Sequence, residues 1–370
     1  MSKCVEQNQV DQGQALAAAF DLLVGLFYYE KIVADGWLQC PNGAGHYFFP
    51  YVNVCPRCVL DERFVHHKAG KGASANIGQA AVRALVLFVR EWFAQTGSDL
   101  VVCQASEPVD LMVYDKQNDR IFLAEVKSAP LFTLPLAIQA DAPVNAPNTH
   151  RSVTLPALRG SKMGLLLPEL NGEGWAAKMH YFATPYTGSD TYFLDMLAAL
   201  VNEETFFPSY LTTWTRAFAA YADKDKSDLI YWLTGGCGKP APAPVGWPKK
   251  GGTPESISDG KTSVGMDRTD DIKKGVYQLL KLRLTEASAD GISVRVGILS
   301  NAHAARHHHE YVEPIQDVMW LKTEQENVQF TGDLPPQTPL HNLYDGIITF
   351  TQCFTRDEWL QQIFTFQKND

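Results

Sequence analysis

Asp110, Glu125 and Lys127 are the residues whose types and spacing could do chemistry. The first ends Pro108-Val109-Asp110 and leads into the apolar run Leu111-Met112-Val113-Tyr114. The other two end the run Arg120-Ile121-Phe122-Leu123-Ala124-Glu125-Val126-Lys127. Between the runs lies Lys116-Gln117-Asn118-Asp119, which is turn chemistry. An antiparallel hairpin centred on that turn sets Asp110 opposite Glu125. Strand alternation then puts Glu125 and Lys127 on one face, with Ala124 and Val126 on the other. Facing carboxylates repel unless positive charge sits between them. Hard oxygen donors suit Mg²⁺, so Asp110 and Glu125 are candidate magnesium ligands with Lys127 beside them. Acids and lysines at strand ends are often only solvated charge. Here the register, the shared face and the apolar approach favour a site.

A second set has the composition of a zinc site. Five residues separate Cys40 from His46, eight separate His46 from Cys55, and two separate Cys55 from Cys58. Cys55-Pro56-Arg57-Cys58 is a half-site in which two thiolates on one tight turn reach a tetrahedral ion. Cys40-Pro41-Asn42-Gly43 resembles a second knuckle without its second Cys, so His46 is the candidate fourth ligand, with His66 or His67 as substitutes. Four protein ligands would close the site and make the zinc structural. The rivals are a redox Cys-x-x-Cys, which is expected to open a helix after a strand, and three unrelated buried cysteines.

Elements around these residues follow from periodicity. Gln12–Ile32 reads as a buried amphipathic helix: Asp21, Glu30 and Lys31 interrupt its apolar run, which argues against a membrane span. A helix over 77–95 has an apolar face of Ile77, Ala81, Ala84, Leu85, Phe88 and Trp92, and a strand over 100–104 follows it. From Ser128 to Gly265 the pattern breaks into Pro-, Gly-, Asn- and Thr-rich pieces with aromatic runs at 192–197 and 214–218. Gly235-Gly236-Cys237-Gly238-Lys239 lacks the spacing and hydroxyl of a phosphate loop. Regular structure resumes with a helix from Thr269, with Asp270 and Asp271 in its first turn. The strand 293–300 is apolar enough to be central and covered on both faces. His307, His308 and His309 read as solvated surface. A strand over 346–350 and a helix from Arg356 end the chain.

Composition sets wide bounds. The chain has 370 residues, 45% hydrophobic and 20% charged, as in ordinary globular proteins. Seven Cys are too few for a disulfide scaffold in a chain of this size. The N-terminus is polar, without the apolar core of a signal peptide, so a cytoplasmic location is expected. The net charge is −9, yet residues 239–283 hold nine Lys/Arg against five Asp/Glu, a local +4 that leaves −13 elsewhere. A basic segment on an acidic protein fits a localised nucleic-acid groove, and it also fits chance.

The order of helix, three strands carrying Asp110 and Glu125-x-Lys127, then helix and strand resembles the PD-(D/E)xK nuclease superfamily, in particular type II restriction endonucleases. The likeness covers about 77–130 and 266–300. It implies an α/β (α+β) fold: a restriction-endonuclease-like mixed central sheet flanked by helices, with a small zinc-knuckle module and a long insertion. The corresponding divisions are an N-terminal helix and zinc module at 1–70, a split core at 71–130 and 266–370, and an insertion at 131–265 for DNA recognition or dimerisation. By the same resemblance Asp110 and Glu125 would ligate Mg²⁺, and Lys127 would sit beside the attacking water and the scissile phosphate. An additional acid or glutamine from the preceding helix would be Gln79 or Glu91. Lys274 and Gln278, four apart on the later helix, could also reach the site.

The expectation is therefore a homodimeric, Mg²⁺-dependent endonuclease that cuts double-stranded DNA at specific sequences, leaves 5′-phosphate ends and carries a structural Zn²⁺. Its rivals are a repair or junction-resolving nuclease, and a zinc-stabilised DNA-binding module with an inert core. The G-x-S-x-G elbow of acyl transfer is absent.

Overall fold

The computed structural model describes residues 11–32, 74–131, 192–228, 264–286, 291–321 and 340–366, with strand pieces at 38–39, 46–48, 136–139, 162–171 and 174–183 and short pieces at 230–231, 234, 241–242 and 336. The chain is a mixed α/β protein that divides into two compact units, 1–84 with 129–264 and 85–128 with 265–370. The boundary falls inside one helix.

The first unit contains α1 (Gln12–Ile32) and the N-terminal part of α2 (Ser74–Thr96). Its five-stranded sheet is antiparallel, in the order β1 (Leu38–Gln39), β2 (His46–Phe48), β6 (Leu136–Gln139), β7 (Lys162–Asn171), β8 (Gly174–Ala183). Helices α3 (Tyr192–Asn202) and α4 (Phe206–Ala222) complete it. The segment after Ser128 is thus more regular than its Pro- and Gly-rich composition predicts. Along 15–24 every residue of α1 is buried, so this stretch is a core helix with no solvent stripe, rather than an amphipathic one. Its one acid there, Asp21, accepts a 2.7 Å hydrogen bond from Trp214 Nε1 of α4, and Tyr210 donates its hydroxyl to the Ala18 carbonyl at 3.0 Å. Burial, then the nearby Asp21 charge, pushes the Tyr210 phenol well above its ordinary value.

The second unit is built on a mixed six-stranded sheet. Its strands are β3 (Leu100–Gln104), β4 (Leu111–Asp115), β5 (Arg120–Val126), β9 (Ser293–Ser300), β12 (Gly346–Thr349) and β13 (Cys353–Thr355). Across the sheet they lie in the order β13-β12-β9-β5-β4-β3. A short pair, β10 (Met319–Trp320) with β11 (His341–Asn342), lies outside this sheet. Strands β3, β4 and β5 form an antiparallel meander, β5, β9 and β12 run parallel, and β13 turns back. The turn between β4 and β5 is set by Asp115, whose carboxylate accepts from Gln117 N, Asn118 N and Asn118 Nδ2. Asp119 takes the left-handed conformation, φ 47°, which Asp tolerates.

One face of this sheet packs on α5 (Thr269–Glu286): Ile272, Leu279 and Leu282 join Val109, Val294, Val296 and Ile298 in one buried cluster. The other face carries Phe122, which meets Phe364; Phe364 in turn meets Phe93 of α2. Trp92 Nε1 ties α2 to the Ile363 carbonyl at 3.2 Å. Ile363 ends α6 (Glu358–Ile363), whose first turn is capped by the Asp357 carboxylate accepting from Leu360 N. Covered on both faces and paired on both edges, β9 is central, as its apolar run predicts.

Candidate active site

The site forms where β4 and β5 meet, at the C-terminal end of the parallel strands. The register places Leu111 opposite Ala124, and one step further Asp110 N donates to the Ala124 carbonyl at 3.2 Å. That step sets Asp110 across from Glu125. Asp110 is held from both sides. Val109 is buried in the core, and Val126 N donates to Asp110 Oδ2 at 2.8 Å. Lys127 N continues the ladder to the Leu299 carbonyl of β9 at 3.2 Å. The Lys127 ammonium is hydrogen-bonded to Glu125 Oε1.

Alternation gives the faces. Phe122, Ala124 and Val126 turn to the aromatic side, while Leu123, Glu125 and Lys127 turn to α5. The approach of α5 is close. A Cβ on Gly275 would lie 2.9 Å from Ile298 Cδ1 and 3.6 Å from Lys127 Cγ. Glycine at this turn lets the helix sit directly over the lysine stem.

The electrostatics are unbalanced towards negative charge. Glu125 is buried, with 8% of its surface exposed. Burial raises its carboxyl above the ordinary value, Lys127 pulls it down, and the charges of Asp110 and Glu107 raise it again. Asp271, in the first turn of α5, also lies within reach of Lys127. Burial raises its carboxyl, opposed by Arg268, Lys127 and Lys274. Spacing alone singles out neither Glu107 nor Asp271 as a site residue. Glu107 carries only the weak signal of an acid beside Pro108-Val109-Asp110, and Asp271 reads in sequence as an ordinary first-turn acid.

Asp110, Glu125 and Lys127 are thus brought together. Lys274 is exposed on the turn of α5 that influences Asp271, and Gln278 is half-buried one turn later. Gln79 is exposed in the other unit. Glu91 is exposed on α2, which packs on the opposite face of the sheet, and it is not among the charges acting on Glu125. Of the candidate zinc ligands, Cys40, Cys55 and Cys58 lie outside the described residues, as do His66 and His67, and His46 contributes the first backbone position of β2.

The donor set fits a hard divalent cation. Asp110 Oδ1 and Glu125 Oε2 remain as carboxylate oxygens beyond the hydrogen bonds to Val126 N and Lys127. A cation there would also relieve the burial and repulsion that raise Glu125. Among the described residues no helix is long and apolar enough to cross a membrane. Comparison with known proteins found no matching family model, no matching curated protein and no matching solved structure.

Proposed function

We propose that this protein is a Mg²⁺-dependent endonuclease acting on double-stranded DNA, specifically a type II restriction endonuclease that leaves 5′-phosphate ends. The observation that carries the reading is the pairing of Asp110 with Glu125 across two strands, with Lys127 on the same face and bonded to Glu125. Phosphodiester hydrolysis needs a water that is nucleophilic near neutral pH and a positive environment for the charge that builds on the phosphoryl oxygens. Asp110 and Glu125 would hold Mg²⁺, which supplies Lewis acidity and a lowered water pKa when bound. Lys127 holds a positive charge at the same face, where it orients Glu125 and can stabilise a phosphoryl oxygen. Asp271 lies near enough for its charge and that of Lys127 to interact, and Gly275 leaves room for the lysine stem under α5.

A polyanionic substrate is supported by α5 itself. Lys273, Lys274 and Lys281 occupy exposed positions, and Tyr277, 67% exposed, lies among them. The proposed assembly is a homodimer, because two strands need two sites and a palindrome mirrors two-fold symmetry. Cys40, His46, Cys55 and Cys58 are proposed as a structural zinc site of the first unit, and the cytoplasm as the location.

A panel of DNA substrates tests the reading. The full chain with Mg²⁺ is incubated with plasmid, genomic duplex, mismatched and branched DNA. Discrete fragments from plasmid and genomic DNA, religatable through their 5′-phosphates, are expected. Cutting confined to mismatched or branched DNA would replace restriction by repair or junction resolution. Binding without cutting on every substrate would leave an inert nuclease core.

A further inference from the structure

The segment after β9 holds a cluster that the proposed nuclease chemistry does not use. Residues His308–Val312 form a single π turn, closed by Glu313 N donating to the His308 carbonyl. An α-helix aligns residues four apart. The wider π turn also brings positions five apart together, and such turns recur at functional sites. Glu313 is therefore faced by two consecutive histidines, His308 and His309. Each of the three offers one ligand atom, and these atoms all lie within 4.8 Å of one another. Small side-chain shifts would let them share an ion at bond lengths of about 2.0–2.2 Å.

His308 is already oriented for this. Its Nδ1 is 2.8 Å from Nε2 of His303, which leaves Nε2 as the free ring nitrogen. Its ring stacks on Phe354 at 5.0 Å and 21°. His303 is fixed in turn. It is 4% exposed, its ring packs on Phe354 at 4.8 Å, and its backbone N donates to Thr351 Oγ1 at 3.0 Å. A buried partner on the non-ligating nitrogen is how metal-bound imidazoles are commonly aimed. His309 and Glu313 are solvent-facing and already touch, Nδ1 to Oε2 at 2.6 Å, so an ion can enter without unfolding the segment. His307 lies outside the set and faces the buried Asp267 carboxylate instead, Nδ1 to Oδ1 at 3.0 Å.

We propose that His308, His309 and Glu313 bind one borderline divalent metal ion of the zinc, cobalt or nickel class, with His303 as the positioning residue. Two imidazoles and a carboxylate suit such ions better than Mg²⁺, and three protein ligands leave a coordination position for water. The site shares no residue with the cysteine cluster and does not depend on the nuclease reading.

The test titrates Co²⁺ into the chelator-stripped full chain and counts bound equivalents by visible absorption. Any cysteine-bound cobalt is recognised separately by its thiolate charge-transfer band. With excess Mg²⁺ present to fill the Asp110–Glu125 site, the wild type should bind one Co²⁺ equivalent that lacks this band. The His309→Ala/Glu313→Gln double variant should lose that equivalent, with affinity lowered at least about 100-fold, beyond the 10–100-fold range of outer-shell changes. Both positions are solvent-facing, so the double variant should melt at the wild-type temperature. His307→Ala should keep the equivalent. An unchanged count and affinity in the double variant, or loss of the equivalent in His307→Ala, would overturn the assignment.

Discussion

Two acid–base sets lie on the same sheet and differ in how completely they are satisfied. Asp345, just before β12, bonds to the Arg283 guanidinium, accepts from Val296 N at 2.8 Å and donates its own N to the Val296 carbonyl at 2.8 Å. Arg283 also donates to the Val294 carbonyl at 3.1 Å. Asp345 and Arg283 thus meet as a pair, and the backbone takes up all but the buried Arg283 Nε, which has no hydrogen-bond partner among the described residues. Asp110 and Glu125 face each other with Glu107 nearby, and one lysine is shared among them. Burial raises the carboxyl in both sets, at Asp345 against Arg283 and at Glu125 against Lys127. The first set is closed around one ion pair, with Arg283 Nε alone left over. The second sets a single lysine against several acids, and on the proposed reading that is where a cation would bind.

The largest effect on stability should come from breaking the closed set. Asp345→Ala leaves Arg283 buried without its counter-charge and should cost about 3–5 kcal/mol, read from the denaturant midpoint. If Asp110→Ala costs as much, the contrast between the sets is lost. The Asp357→Ala substitution removes both the cap of α6 and the ion-pair partner of Arg295, and should cost about 1–2 kcal/mol and leave cutting unchanged. Next comes the contact over the lysine. Gly275→Ala brings a methyl to 2.9 Å from Ile298 Cδ1, and after the helix propensity that Ala adds it should cost a net of about 1 kcal/mol. Cutting should weaken with it as α5 lifts from Lys127, and full activity in a destabilised variant would separate α5 from the site.

The smallest effect is a dependence on pH. Glu125 binds its proton more tightly in the folded chain than at its ordinary 4.5. Its contribution is full below that value and is lost as pH rises through the raised one. Wild-type stability should therefore fall relative to Glu125→Gln as pH climbs from about 4.5 towards neutrality. Added Mg²⁺ should reverse the trend in the wild type alone. Parallel curves for the two proteins would mean that Glu125 carries no burial penalty.

Much of this second unit was legible in the sequence. The turn at 116–119 fixes the hairpin register, because a one-residue slip would move every side chain to the other face. The register in turn sets Asp110 against Glu125. The apolar density of 293–300 marks a central strand. What sequence leaves unread depends on contacts between distant segments. Asp271 and Gly275 matter only because α5, beginning more than 140 residues after Lys127, lands on β5 and β9. The histidine run reads as surface until a π turn sets two of its members, His308 and His309, against Glu313.

The central claim is tested most directly by Lys127→Ala. Wild type and variant are compared on genomic DNA with Mg²⁺, with binding followed by gel shift and cutting by fragment yield. The wild type should cut and stop when Mg²⁺ is chelated. The variant should bind with similar affinity and cut slower by at least about 10²–10³-fold, the loss expected when a charge-stabilising group is removed. Equal cutting by both proteins, or an equal absence of cutting, would contradict the assignment of Lys127, Asp110 and Glu125 to catalysis.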